Sequence, residues 1–119
     1  MKVVFIVDDS DANLLLAKNA LEGLYETYAL PSAARMFKIL EKITPDLILL
    51  DVDMPEMDGF EAFQMLKTNE SLKTIPVVFL TGKYEAESEK RGLEMGALDF
   101  IRKPFSAPDL IHRIKGLLP

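Results

Sequence analysis

The chain has no cysteine and a single histidine, His112. Without cysteine there is no disulfide and no thiolate metal site, which fits a reducing compartment. One histidine argues against a histidine-rich transition-metal centre. No apolar run approaches the roughly 20 residues that cross a bilayer. The start lacks the basic segment, apolar core and small-residue cleavage site of a secretory leader. Basic runs are scarce too. Adjacent cations come as pairs at most, Lys90-Arg91 and Arg102-Lys103, in a chain of net charge -5, which is unlike a nucleic-acid binder. The glycine-rich lysine loop of nucleotide hydrolases and the EF-hand calcium loop are both missing. These absences predict a cytoplasmic protein with no membrane segment and no direct contact with nucleic acid.

What is present suits one globular domain spanning 1–119, with a 49% hydrophobic content. Its most informative feature is where the apolar runs stop. Val3 to Val7 ends at Asp8-Asp9, Leu47 to Leu50 ends at Asp51, and Val77 to Leu80 ends at Thr81. A shorter run, Phe100-Ile101, leads to Lys103-Pro104. Short, continuous, β-branched runs read as parallel strands buried on both faces. Their ends then share one rim of one sheet, where open α/β sheets bind ligands. The rim gathers carboxylates, a hydroxyl and an ammonium, the chemistry of a divalent cation beside a phosphoryl group.

Between the strands lie helical patterns. Ser10 or Asp11 caps a helix over about 12–23, with Leu14, Ala17, Leu21 and Leu24 on its apolar stripe. Tyr25 to Leu30 reads as a partly polar edge strand. Pro31-Ser32 opens a second helix carrying Met36, Phe37 and Leu40, which Thr44-Pro45 ends. Met54 to Gly59 is a loop, and a third helix follows to about Lys67. A charged, exposed fourth helix runs from Tyr84 to about Met95, loosened by Gly92, which costs roughly 1 kcal/mol against alanine. Ser106 and Pro108 open the last helix, striped by Leu110, Ile111, Ile114, Leu117 and Leu118. Met36, Met65 and Met95 read as core gap-fillers, and His112 as an exposed helix residue. Five strand–helix alternations predict an α/β fold, a parallel sheet with helices on both faces.

The acids define the chemistry. Two carboxylates about 5 Å apart repel by roughly 3 kcal/mol at an effective dielectric of about 20. A cluster therefore requires Lys103 and a hard cation. Oxygen-only donors select Mg²⁺ or Ca²⁺ over zinc, and a site shared with a phosphate oxygen suits Mg²⁺. A carboxylate can attack phosphorus directly, and Asp51 closes the most apolar strand. No general base is needed if that carboxylate is already ionised. Thr81 can donate to a phosphoryl oxygen and Lys103 can pair with another.

Asp8-Asp9, Asp51-x-x-Met54-Pro55-x-x-Asp58-Gly59, Thr81-Gly82 and Lys103-Pro104-Phe105 together resemble the receiver domain of two-component response regulators. The separations are 42 residues from Asp9 to Asp51, 30 from Asp51 to Thr81 and 22 from Thr81 to Lys103. The resemblance covers essentially the whole chain. It implies a flavodoxin-like (βα)5 fold with strand order 2-1-3-4-5. It implies that Asp51 is the phosphoacceptor, that Asp9 binds Mg²⁺ directly and Asp8 mostly through water, and that Asp51 and the main-chain carbonyl of Asp53 complete the metal ligands. Thr81 and Phe100 would be the switch residues, Lys103 would contact the phosphoryl group, and the Lys103-Pro104 peptide would be cis. The donor would be a sensor histidine kinase or phosphotransfer protein. The output would pass through the surface of the fourth helix, fifth strand and fifth helix to an effector domain or a homodimer partner. The chain would catalyse only its own phosphorylation and dephosphorylation.

Some positions depart from the pattern. Gly82 replaces the family's usual alanine and opens space beside the phosphoryl site. Asp53 adds an acid that could orient water or metal, and Lys83 reaches toward the rim or is a solvated loop lysine. Three other functions compete. Asp51-Val52-Asp53 also resembles the nucleophile motif of haloacid dehalogenase-type phosphatases, although their acidic metal pair follows the nucleophile whereas Asp8-Asp9 precedes it. A flavodoxin-like cofactor carrier would have to place phosphate against two acids. A degenerate receiver used only for interaction would be expected to lack Asp51, Thr81 or Lys103.

Overall fold

The computed structural model describes residues 1–82 and 86–119. Strand β1 (Val3–Val7) leads into helix α1 (Asp11–Leu21), then β2 (Glu26–Leu30), α2 (Ala33–Leu40), β3 (Leu47–Asp51) and α3 (Gly59–Lys67). The order continues with β4 (Val77–Thr81), α4 (Ala86–Met95), β5 (Asp99–Arg102) and α5 (Ala107–Leu117). All strand pairs are parallel, and the sheet order is β2-β1-β3-β4-β5. The central strands β3 and β4 are buried at every residue. This is why their sequence is continuously apolar rather than alternating.

Side chains alternate between two cores, as the period of two along a strand requires. Phe5, Ile48, Leu50 and Phe79 meet Met36, Leu40, Phe63 and Leu66 on the face covered by α2 and α3. Val4, Ile6, Leu49, Val78 and Leu80 meet Leu14, Leu21, Leu110 and Ile114 on the face of α1 and α5. Among the described residues no helix is long and apolar enough to cross a membrane.

Local signals decide the helix starts. Of the two candidate caps for α1, Ser10 does the work: its hydroxyl accepts the Asn13 N–H at 3.3 Å. Asp58 and Glu61 form a reciprocal capping box at α3. Ser106 caps α5, with Pro108 in its first turn.

Two apolar assignments need correction. Leu24 lies beyond the end of α1 and is 41% exposed, because the helix stops at Leu21 before Gly23 turns the chain. Met65 is 46% exposed on the outer side of α3, while Met36 is fully buried and Met95 packs at the core margin. α4 runs to Met95 as expected, and Gly92 is buried inside it against Phe100 of β5 and Phe79 of β4. The expectations for Lys83 and for Tyr84 as a helix start fall outside the described residues.

Candidate functional site

The parallel sheet brings the four run-ending segments to one rim. Asp8 follows β1, and its N–H donates to the Leu30 carbonyl at 3.1 Å. Its carboxylate is fully buried and accepts the Ser10 N–H at 2.9 Å. Asp51 closes β3 at 1% exposure, and Thr81 closes β4 at 2%. Gly59 fits against the backbone behind Asp51. A side chain there would collide with the Asp51 carbonyl and come within 2.9 Å of the Val52 Cα.

Lys103 arrives from the end of β5, its N–H donating to the Thr81 carbonyl at 2.7 Å. Its Nζ donates to Asp51 Oδ1 at 2.9 Å and to Asp8 Oδ2 at 3.3 Å. One ammonium thus serves two buried carboxylates. The next peptide, Lys103-Pro104, is cis. Asp51 Oδ1 also accepts the Asp53 N–H at 3.3 Å. Asp51 Oδ2 is buried with no hydrogen-bond partner among the described residues. Phe100, 5% exposed, packs inward with its ring 5.4 Å from that of Phe79.

The electrostatics follow from burial and charge count. Burial pushes the Asp51 carboxyl up from 3.8 to about 7. The Lys103 hydrogen bond pulls the other way, and the Asp8 charge adds to the rise. The expectation of an already ionised Asp51 therefore changes: without a cation, the carboxyl is roughly half protonated at neutral pH. For Lys103, burial favours the neutral amine, but the hydrogen bonds and charges of Asp51 and Asp8 outweigh it and hold the ammonium's pKa above its ordinary value.

Asp8, Asp9 and Asp51 each place a carboxylate oxygen so that all lie within 4.8 Å of one another. Asp9 is exposed and supplies the open side of the group. An all-oxygen donor set and an excess of negative charge fit a hard divalent cation. The Asp53 carboxylate is exposed and stands outside this group. Its approach to Asp51 is through its backbone N–H. Sequence reasoning missed the tight packing of Gly59 and Gly92, because the backbone and rings they meet belong to other segments of the chain.

The chain belongs to the response regulator receiver domain family, whose model matches residues 4–115. The class is a phosphorylation-dependent signalling switch, and its members interact with histidine kinases or phosphotransfer proteins. A match over this span leaves the haloacid dehalogenase-type reading without support. The chain is 36% identical over 118 residues to the polar-differentiation response regulator DivK of Brucella ovis, covering 98% of this chain and 96% of that protein. It is 41% identical over 111 residues to a probable cyclic di-GMP phosphodiesterase of Vibrio cholerae, covering 93% of this chain but only 25% of that longer protein. The Vibrio cholerae chemotaxis protein CheY4 superimposes with a TM-score of 0.92 at 28% identity, covering 99% of both chains.

Proposed function

We infer that this chain, as a receiver domain over 1–119, accepts a phosphoryl group on Asp51 from a sensor histidine kinase or phosphotransfer protein in the cytoplasm. The observation that carries this reading is the asymmetry of Asp51. Oδ1 is tied to Lys103 and the Asp53 N–H, whereas Oδ2 is buried with no partner among the described residues. An oxygen with no partner in a polar pocket is free to act as a nucleophile.

In the proposed transfer, Asp51 forms a new O–P bond while the P–N bond to the donor imidazole breaks, and the leaving nitrogen keeps the bonding pair. Lys103 holds the carboxylate's other oxygen and offsets the incoming negative charge. The Thr81 hydroxyl, at the end of the neighbouring strand, supplies a donor for a phosphoryl oxygen. Asp9, Asp8 and Asp51, with the Asp53 main-chain carbonyl, would hold Mg²⁺, which supplies charge neutralisation at the phosphoryl oxygens. The Asp53 side chain and the space opened by Gly82 would tune how long the phosphoryl group survives. Thr81 and Phe100 would carry the change to α4, β5 and α5, where an effector domain or a second copy reads it. The chain turns over no separate substrate.

Beryllofluoride, a phosphoryl mimic, tests this directly. With Mg²⁺ it should shift the amide resonances of Asp51, Thr81 and α4 in the wild type and leave Asp51→Asn unchanged. Equal shifts in the variant would show that the mimic sits elsewhere. Thr81→Ala should bind the mimic yet lose the α4 response; a full response would remove Thr81 from the readout.

A further inference from the structure

At the β2 edge of the sheet, α2 and the turn after it border a cleft of about 560 Å³. Leu30, Ile39 and Ile43 give it an apolar lining, Leu30 buried and the two isoleucines half-buried. Arg35, Lys38 and Lys42 stand around them, all exposed, and Glu41 is the one acid in the lining. Arg35, Lys38 and Ile39 follow the spacing of one helix face. The next turn extends that face, since the N–H groups of Lys42 and Ile43 donate to the Ile39 carbonyl at 3.0 and 2.9 Å.

Two features mark this as more than a solvated helix face. No ion pair among the described residues engages Arg35, Lys38 or Lys42. Their sign is also opposite to that of the chain, which has 19 acids against 14 lysines and arginines. A row of unpaired cations beside a row of half-buried isoleucines has an obvious complement.

We propose that this cleft docks an acidic amphipathic helix of a partner protein. Its apolar side chains would seat on Leu30, Ile39 and Ile43, and its carboxylates would face Arg35, Lys38 and Lys42. From position 35 to 42 is about 10 Å at a helical rise of 1.5 Å per residue. That is two turns of an incoming helix, the usual repeat of helix-in-groove recognition. A small anion fits less well, because such ligands are held by a few converging polar groups in an enclosed site, and here every charged side chain is exposed. The sheet order places β2 and β5 at opposite edges, so a partner bound at α2 leaves the α4, β5 and α5 surface free. The inference therefore does not depend on phosphorylation of Asp51.

The probe is a fluorescein-labelled helical peptide of about 14 residues with leucine on one stripe and glutamate on the adjacent one. Anisotropy measures its affinity and amide resonances locate it. Shifts confined to Leu30 and residues 35–43 are expected. Lys38→Glu/Lys42→Glu should weaken binding at least about tenfold with an unchanged melting temperature. Replacing the peptide's glutamates by glutamine should weaken it comparably. Binding should persist in Asp51→Asn, which separates this test from the phosphoacceptor reading. The proposal is overturned if binding survives the double charge reversal or if the shifts fall on α1 or α5. It is equally overturned if ADP, duplex DNA or phosphatidylserine vesicles produce the α2 shifts while the peptide produces none.

Discussion

Placing alanine at position 92 should have opposite effects depending on what stands at position 100. In an open helix interior, alanine for glycine stabilises by about 1 kcal/mol. Here a Cβ at Gly92 would lie 2.5 Å from Phe100 Cζ and 2.8 Å from Cε2, and 3.1 Å from Phe79 Cδ2. Ordinary carbon contacts are about 3.5–4.0 Å, so the ring must move, and it is backed by Phe79 at 5.4 Å. Overpacking of this kind costs about 1–3 kcal/mol. Gly92→Ala should therefore be neutral or destabilising by up to about 2 kcal/mol. In a Phe100→Leu background the two closest ring atoms are gone and only the 3.1 Å approach to Phe79 remains, so the same change should be neutral or stabilise by up to about 1 kcal/mol. Urea unfolding of the four proteins gives the coupling directly, expected at about 1–3 kcal/mol. Additive effects, within about 0.5 kcal/mol, would refute the argument that α4 is glycine at this point to admit the inward ring. The Phe100 ring resonances should shift in Gly92→Ala, since the ring is displaced from its contact with Phe79.

Three other expectations concern the acidic pocket. Mg²⁺ at ten times its dissociation constant should stabilise the fold by about 1.4 kcal/mol, raising the melting temperature by about 5 °C for a chain of this length; no shift in calorimetry would mean the acids hold no cation. Because the Asp51 pKa is raised from 3.8 to about 7, its contribution to the stability of the cation-free fold is fully present below about pH 4 and is lost as pH rises through about 7. Mg²⁺ must displace that proton, so its affinity should fall about tenfold per pH unit below 7, and equal affinities at pH 5.5 and 8 in titration calorimetry would contradict this. Lys103→Met leaves Asp8 and Asp51 buried without their shared cation, and should destabilise the protein by about 3 kcal/mol at pH 8, with a smaller loss near pH 5 where Asp51 is protonated, as read by urea unfolding at the two pH values.

Much of this was legible in the sequence because the strands announce themselves. Leu47 to Leu50 and Val77 to Leu80 are too short and too apolar for anything but buried strands, and parallel order then forces Asp51 and Thr81 to one rim. Caps were legible as chemistry but not as choice: Ser10 and Asp11 can both cap, and only the backbone path selects Ser10. Leu24 and Met65 were misread because apolar spacing does not say where a helix ends or which side faces out. Gly92 was opaque for a different reason. Its partners Phe79 and Phe100 come from two strands, so the need for a missing side chain exists only after the chain has folded. The cationic face of α2 and the turn after it was likewise hidden, because Arg35, Lys38 and Lys42 are neighbours in space and not in the sequence. The raised pKa of Asp51 depends on burial that composition does not report.

The central claim is that Asp51 receives the phosphoryl group. Treating the protein with an acyl-phosphate donor and Mg²⁺, reducing the product with borohydride and locating the modified residue by peptide mass tests it most directly. Modification confined to position 51 is the predicted result. Modification at Asp8 or Asp9, or none in a protein that is folded and binds Mg²⁺, would contradict it.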